Sequence, residues 1–354
     1  MTFALGILFS VTAVSGCDKE DPNKPIMPSK PSEPDEPEEP AKPEDPSEPT
    51  GPFEALTERY LNVVNYLGNI ENTHPKVLYF ENGWRGYKYW MAYTPYPLAN
   101  YSAENPCIAV SNDGYNWSLP EGAPNPIDPK PDYGYNSDTH LVYNEKTDEL
   151  EIWWRDVIKD EHRDSFLRKI SKNGIDWSEE ERLLDFSGPY DWRVSPAVFI
   201  EDDRYVCYYS DGKIVKKIVS GKGCDLSEWS EPEIIPVLPT DLRCWHLDAI
   251  PTETPGVHEL LMNCYNRDES SNAQSIYYAL YDSNSGNAVT PQLVASPKED
   301  KGTIYSRLYR SSLVKIDGYY RIYLSGIDAK RHRYLSVTEG PTPTDMRGWK
   351  AMQK

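Results

Sequence analysis

Basic side chains are scarce in this chain: 37 Lys and Arg stand against 56 Asp and Glu, a formal net charge of −19. A phosphate backbone rewards the opposite balance, so nucleic acid is not an expected partner. Cysteine is sparse as well. No two of Cys17, Cys107, Cys207, Cys224, Cys244 and Cys264 have the C-x-x-C spacing of zinc ribbons or redox motifs. Cys207 lies inside the strand-like run Tyr205-Val206-Cys207-Tyr208-Tyr209, so buried thiols are expected rather than a disulfide framework. The sequence has no glycine-rich phosphate loop, no Ser-His-Asp arrangement and no WD or kelch signature. Helical periodicity is weak except from Phe53 to Tyr66, where EALTERYLNVVNYL predicts one short amphipathic helix.

Long apolar runs are confined to the first sixteen residues, MTFALGILFSVTAVSG, which carry no charge. That length suits a secretory leader and is too short to span a bilayer comfortably. The tetrad Val14-Ser15-Gly16-Cys17 resembles the lipobox of bacterial lipoproteins. The resemblance implies that Cys17 is acylated and becomes the mature N-terminus, with two or three acyl chains giving firm attachment. The acidic run Asp18-Lys19-Glu20-Asp21 is similar to a surface-export signal. Anchorage to the bacterial outer membrane, on its surface or periplasmic face, is therefore expected, with the lipid as the only membrane contact.

Residues 18–52 carry Pro at short intervals, and eleven acids and four lysines fall between Asp18 and Gly51. Such a segment cannot bury a core and favours extended polyproline II. At ~3.1 Å per residue it forms a stalk reaching roughly 100 Å. The expected organisation is a leader over 1–17, a stalk over 18–52 and one globular domain, expected as a monomer, over 53–354.

The globular part contains an internal repeat. Five segments run from polar residues into an apolar strand: His74-Pro75-Lys76-Val77-Leu78-Tyr79, Asp138-Thr139-His140-Leu141-Val142-Tyr143, Ser195-Pro196-Ala197-Val198-Phe199-Ile200, His246-Leu247-Asp248-Ala249-Ile250-Pro251 and Arg310-Ser311-Ser312-Leu313-Val314-Lys315. Their starts are 64, 57, 51 and 64 residues apart. Each is followed by a turn and an aromatic-rich strand. Two repeats then carry S-x-[DN]-G-x-x-W, at Ser111 to Trp117 and Ser171 to Trp177. These heptads resemble the Asp-box of sialidases and other propellers, in which Asp or Asn and Gly make a tight turn and Trp packs it. The pattern predicts an all-β, five-bladed β-propeller with four-stranded blades, preceded by the short helix and the Pro-rich linker. A β-sandwich followed by a second domain is the alternative fold.

In such a ring the first strand of each blade lines the central channel, and alternate residues share a side. The first positions give His74, Asp138, Ser195, His246 and Arg310; the third positions give Lys76, His140, Ala197, Asp248 and Ser312. Arg193, Asp191, Trp192, Trp245 and Tyr309 flank them. Two readings stay open: an ion-pair plug that closes the channel, or a polar pocket that receives a sugar. The pocket reading assigns substrate binding to His74, His140, Arg193, Trp192, Trp245, Tyr309 and Arg310.

Forms such as SPAVFIEDDRYVCYYS and SSLVKIDGYYRIYLSG, within the repeat over residues 70 to 350, resemble the five-bladed glycoside hydrolases of families 43, 32, 117 and 130. That resemblance implies a carbohydrate substrate and hydrolysis by two carboxylates from separate blades. The chain departs from the family 43 pattern where His74-Pro75 replaces the Asp-Pro that supplies the base, and where His246-Leu247-Asp248 stands at the place of the acid. Family 117 shows His replacing the acid. The resemblance therefore implies Asp138 as base or stabiliser and Asp248 or His246 as acid. A non-catalytic glycan-binding propeller is the alternative. Histidines scattered over separate blades lack any local ligand spacing, so no catalytic metal is expected; the resemblance allows a structural calcium in the channel.

Overall fold

The computed structural model describes residues 60–129, 134–158, 163–187, 193–269, 274–297 and 305–347. The leader, Cys17, the stalk and residues 53–59 of the expected helix lie outside them.

Short strands broken by Gly, Asn and Asp turns can pair only with their sequence neighbours, and each repeat accordingly folds into an antiparallel meander. The first blade is β1 (Asn72–Trp84), β2 (Tyr87–Pro95) and β3 (Cys107–Ser111), with a bridge between Val110 and Ser118 in place of a fourth strand. The second is β4 (Gly134–Asn144), β5 (Glu149–Ile158), β6 (Arg163–Ser171) and β7 (Glu181–Ser187). The third is β8 (Val194–Glu201), β9 (Arg204–Ser210) and β10 (Val215–Gly221), with β11 (Asp225–Trp229) and β12 (Glu233–Ile234) sharing its outer edge. The fourth is β13 (Leu242–Pro251), β14 (Val257–Asn266) and β15 (Ser275–Asp282), edged by β16 (Asn287–Ala288) and β17 (Gln292–Ala295). The fifth is β18 (Tyr305–Ile316), β19 (Tyr319–Asp328), β20 (Arg333–Thr342) and β21 (Asp345–Arg347). Among the described residues no helix is long and apolar enough to cross a membrane.

Apolar burial divides into five wedges, one at each blade junction. Trp90 and Ile108 meet Leu141 and Trp154 between blades one and two; Trp153 and Phe166 meet Val198 and Tyr205 between two and three. Tyr208 and Val215 meet Leu247 and Met262; Leu261 and Ile276 meet Leu308 and Leu324. The last wedge joins Val314 and Tyr323 of blade five to Val77 and Met91 of blade one, so the sheets form a closed ring of five. Tyr and Trp fill the widening gaps between the blades, as their bulk requires.

The helix expected from Phe53 to Tyr66 is not formed in its described part. Residues 60–65 run extended: Leu61 (2%) and Val63 (1%) are buried while Val64 is 53% exposed, an alternation of period two. The Leu61 N–H donates to the Leu335 carbonyl of β20 at 2.8 Å, and both apolar side chains enter the wedge between blades five and one. Docking on an open strand edge overrides the local helical pattern.

All five inner strands share one irregularity. Their pairing slips between Thr73 and Lys76, Ser137 and His140, Val194 and Ala197, Cys244 and His246, and Leu308 and Ser311. At each slip the inner strand holds one more residue than its neighbour, which is a β-bulge. In the first three blades the bulged residue has positive φ: His74 at 53°, Asp138 at 55° and Ser195 at 62°. The bulge turns these side chains toward the axis.

Both Asp-box turns brace the preceding blade. Ser111 Oγ accepts from the Gly114 N–H at 2.9 Å and Asp113 Oδ1 accepts from the Tyr115 and Asn116 N–H groups, both at 2.8 Å. The Gly114 carbonyl then accepts from the Tyr323 hydroxyl of blade five at 3.1 Å. In the second box Gly174, at φ +75°, lies flat against Trp90, and an added Cβ would stand 2.1 Å from its ring. The Gly174→Ala variant is expected to lose about 2–4 kcal/mol, from left-handed backbone and a clash with a buried ring, measured by urea denaturation.

Candidate functional site

The bulges of blades one, two and four bring His74, Asp138 and His246 together at the axis, all buried. Asp138 Oδ1 lies 3.5 Å from His74 Nε2 and 3.2 Å from His246 Nδ1. One ligand atom from each residue falls within 4.8 Å of the other two. Asp138 Oδ2 instead accepts from Arg155 Nε at 2.8 Å, and Arg155 Nη1 continues to Asp164 at 2.9 Å.

Burial alone would push the Asp138 carboxyl up, but Arg155, His74 and His246 outweigh it and hold it well below the usual carboxylate range. Both imidazoles move the other way. Burial drives His74 well below its ordinary value, and it lowers His246, against the pull of Asp138 in each case. The site therefore holds one carboxylate and two neutral imidazoles at neutral pH.

Their facing atoms are not satisfied by hydrogen bonds. His74 Nε2, Asp138 Oδ1 and both nitrogens of His246 have no aligned partner, nor do Nε and Nη1 of Arg310, whose Nη1 is 4.0 Å from Asp138. Buried polar atoms left this way are costly and rare in native structures.

Around this cluster the protein is well bonded. His74 Nδ1 is 2.8 Å from Thr94 Oγ1 and 3.7 Å from Glu104. Burial raises the Glu104 carboxyl to about 8, although the Ser137 hydroxyl donates to it. Tyr309 packs edge-on against His246, ring centroids 4.3 Å apart, and lies 5.5 Å from His74. Its hydroxyl oxygen accepts from Trp245 Nε1 at 3.3 Å, which leaves the Tyr309 proton available to donate.

The third positions form a second layer of a different kind. Asp248 Oδ1 accepts from Lys76 Nζ at 2.7 Å and from the Ala249 N–H at 3.0 Å; Oδ2 accepts from the Leu313 N–H at 2.9 Å. His140 is equally committed. Arg310 Nη2 reaches His140 Nδ1 at 3.1 Å, and His140 Nε2 lies 2.9 Å from both the carbonyl oxygen and the N–H nitrogen of Val198. Ser195 Oγ donates to the Leu247 carbonyl at 3.0 Å and Ser312 Oγ accepts from the Val77 N–H at 3.0 Å. This layer knits the inner strands together beneath the upper cluster.

The structure thus gathers His74, Asp138, His246, Tyr309 and Arg310 around one centre and spends the polar atoms of Asp248 and His140 within the protein. Arg193 places its guanidinium over the rings of Phe186 and Tyr209 at 5.2 and 5.3 Å. Asp191 and Trp192 lie outside the described residues. Arg155, Thr94 and Glu104 escaped the sequence analysis. Arg155 pairs across the sheet with Ser137, so extending the strand register of ELEIWWRD by one blade position would have exposed it.

No protein-family model matches the chain. A type blood N-acetyl-alpha-D-galactosamine deacetylase of Flavonifractor plautii is 43% identical over 84 residues, 23% of this chain and 11% of that protein. The chain thus aligns with about a tenth of that relative's length. The crystal structure of an N-acetylgalactosamine deacetylase from F. plautii, in complex with blood group B trisaccharide, superposes with a TM-score of 0.65 at 21% identity, over 81% of this chain and 94% of that one. A family 43 β-xylosidase/α-arabinofuranosidase from a compost microbial metagenome gives 0.56 at 13% identity, over 80% and 94%. A thermostable family 43 glycoside hydrolase gives 0.53 at 14%, over 79% and 92%. The chain is a five-bladed β-propeller whose fold is shared with family 43 glycoside hydrolases and with a galactosamine deacetylase.

Two outcomes follow for the lower layer. Lys76→Met strands the buried Asp248 carboxylate and is expected to cost about 3–5 kcal/mol in urea denaturation. His140, driven by burial well below 6.5, refuses in the folded state a proton that the unfolded chain accepts. Stability should therefore fall as pH drops below about 6.5, by up to about 1.4 kcal/mol per pH unit for this group. Because Glu104, raised to about 8, acts in the opposite sense over this range, the check is a His140→Gln variant: if its stability falls between about pH 6.5 and about pH 5 as steeply as the parent's, a neutral His140 is contradicted.

Proposed function

We propose that this propeller removes the N-acetyl group from an acetamido sugar in a glycan, with a divalent metal ion held by His74, Asp138 and His246. The observation that carries the reading is the set of three buried ligand atoms, mutually within 4.8 Å and none with an aligned hydrogen-bond partner. Two neutral imidazoles and one carboxylate suit a borderline ion such as zinc. This departs from the expectation of no catalytic metal, which rested on ligand spacing along the chain; ligands from three blades have none.

Such an ion supplies Lewis acidity, polarising an amide carbonyl and acidifying water. The residues of the chain supply the rest. Thr94 Oγ1, 2.8 Å from His74 Nδ1, and the Asp138 N–H, which donates to the same nitrogen at 3.3 Å, hold the ring with Nε2 facing inward. Arg155 keeps Asp138 ionised and fixes one of its oxygens, so that the other faces the centre. The Tyr309 hydroxyl, fed by Trp245, is a donor for charge developing on a carbonyl oxygen. A pair of opposed carboxylates for glycoside hydrolysis is less well supported. Asp248 is saturated, and Glu104 lies on the Nδ1 side of His74, with the imidazole between it and Asp138. The names of the relatives that share the fold favour a carbohydrate substrate.

The same proposal places the reaction at the bacterial outer membrane, with the ring carried by acylated Cys17 and the stalk over 18–52. Support for this comes from the leader and the composition of the stalk.

The test uses purified protein and oligosaccharides ending in N-acetylgalactosamine or N-acetylglucosamine, with free acetate and free reducing sugar measured separately. Acetate release that stops on chelation and returns with zinc is expected. Asp138→Asn and His246→Ala should each lower kcat/KM by about 10³-fold or more and abolish stoichiometric zinc uptake, whereas Asp248→Asn should lower stability. Reducing sugar released in the presence of chelator would return the chain to glycoside hydrolysis. Binding without turnover would make it a glycan-capture protein.

A further inference from the structure

The sheet of blade four sets one cysteine directly across from another. Cys244 of β13 and Cys264 of β14 are register partners on adjacent antiparallel strands. The backbone of Cys244 is turned away from β14. Its N–H donates to the Lys213 carbonyl at 3.0 Å, and its carbonyl accepts from Ser210 Oγ at 2.8 Å, both in blade three. The pair therefore occupies a non-hydrogen-bonded position, where Cα atoms approach to about 4.5 Å and side chains lie closest. That separation is within the range a disulfide spans, about 4.4–6.8 Å. Both side chains point into the same wedge between blades three and four, and both are fully buried.

The other described cysteines lack this arrangement. Cys107 pairs with Tyr93, and Cys207 pairs with Val198 and Ile218. Cys224 sits in a turn at the rim of another wedge. All five carry free thiols here, and burial together with the neighbouring Cys244 sulfur holds the Cys264 thiol protonated.

We infer that Cys244 and Cys264 are a disulfide site, closed when the chain folds in an oxidising compartment. Each thiol gives up one proton and one electron and a sulfur–sulfur bond forms. The oxidant is a disulfide, protein-borne or glutathione, which takes up both electrons and both protons and leaves as two thiols. Both sulfurs are shut inside a wedge, so the exchange takes place as the blade folds and not on the finished ring. The bond would flank the register slip between Cys244 and His246 and so pin one end of the bulge that precedes His246. This inference does not depend on the metal or on the reaction proposed above.

The full chain is folded with oxidised and reduced glutathione, quenched with acid and denatured, then alkylated before and after reduction and mapped by peptide mass. Cys244 and Cys264 should label only after reduction and appear as one crosslinked peptide pair, while Cys107, Cys207 and Cys224 label at once. The oxidised protein should melt roughly 5 °C above the reduced one, and Cys264→Ser should remove that difference. Labelling of Cys244 and Cys264 as readily as Cys107 without reductant, or a crosslink from Cys244 to any other cysteine, would overturn the inference.

Discussion

The site depends on one buried ion pair, Asp138 Oδ2 with Arg155 Nε at 2.8 Å. Burial is the largest influence on this carboxyl and favours its protonated form; the guanidinium is the largest influence opposing it. With it, the charge persists and is steered: one oxygen is occupied by Arg155 and the other turns to His74 and His246. Arg155 and Asp138 come from adjacent strands of one blade, so the pair is set by local hairpin geometry. The imidazoles come from blades one and four, so their approach to Asp138 is set by closure of the ring.

This division explains why two layers so close together differ in character. In the lower layer Asp248 is bonded to Lys76 and to the Leu313 N–H, and His140 to Val198 and Arg310, so that the bonds tie all five blades together. That is the behaviour of a structural plug. In the upper layer the same fold leaves nitrogen and oxygen atoms unsatisfied at close range. The axial ring therefore combines a bonded layer and an unsatisfied one, one above the other. The plug supports the cluster by fixing the five inner strands at the depth where they bend.

Much of this was legible beforehand because propeller repeats expose their own period. The five strand starts, the two Asp-boxes and the aromatic second strands place the blades, and His74, Asp138, His246 and Arg310 stand at the repeat position that reaches the axis. What escaped was whatever depends on departure from regular pairing. Strand alternation makes Asp138 and Asp248 equivalent candidates; the bulges and the company each keeps leave one oxygen of Asp138 without an aligned partner and bond both oxygens of Asp248. Arg155 was hidden because it belongs to a second strand. The segment ending at Tyr66 carries apolar residues that fit a helix, and only contact with β20 shows that it is read with period two. The cross-strand cysteines looked unrelated because their partnership lies in register rather than in spacing.

Ring closure also fixes the order in which this molecule can mature. Leu61 lies on β20, and Val77 donates to Ser312 from 235 residues away, so the earliest and latest parts of the domain are fastened to each other. Blades one to four can fold as each emerges, but His74 cannot be brought against His246 until the fifth has filled the gap. Assembly of the axial cluster is thus delayed until synthesis of the domain is essentially complete. A fragment without the fifth blade would keep Asp138 and Arg155 on one hairpin but would lack Arg310 beside them.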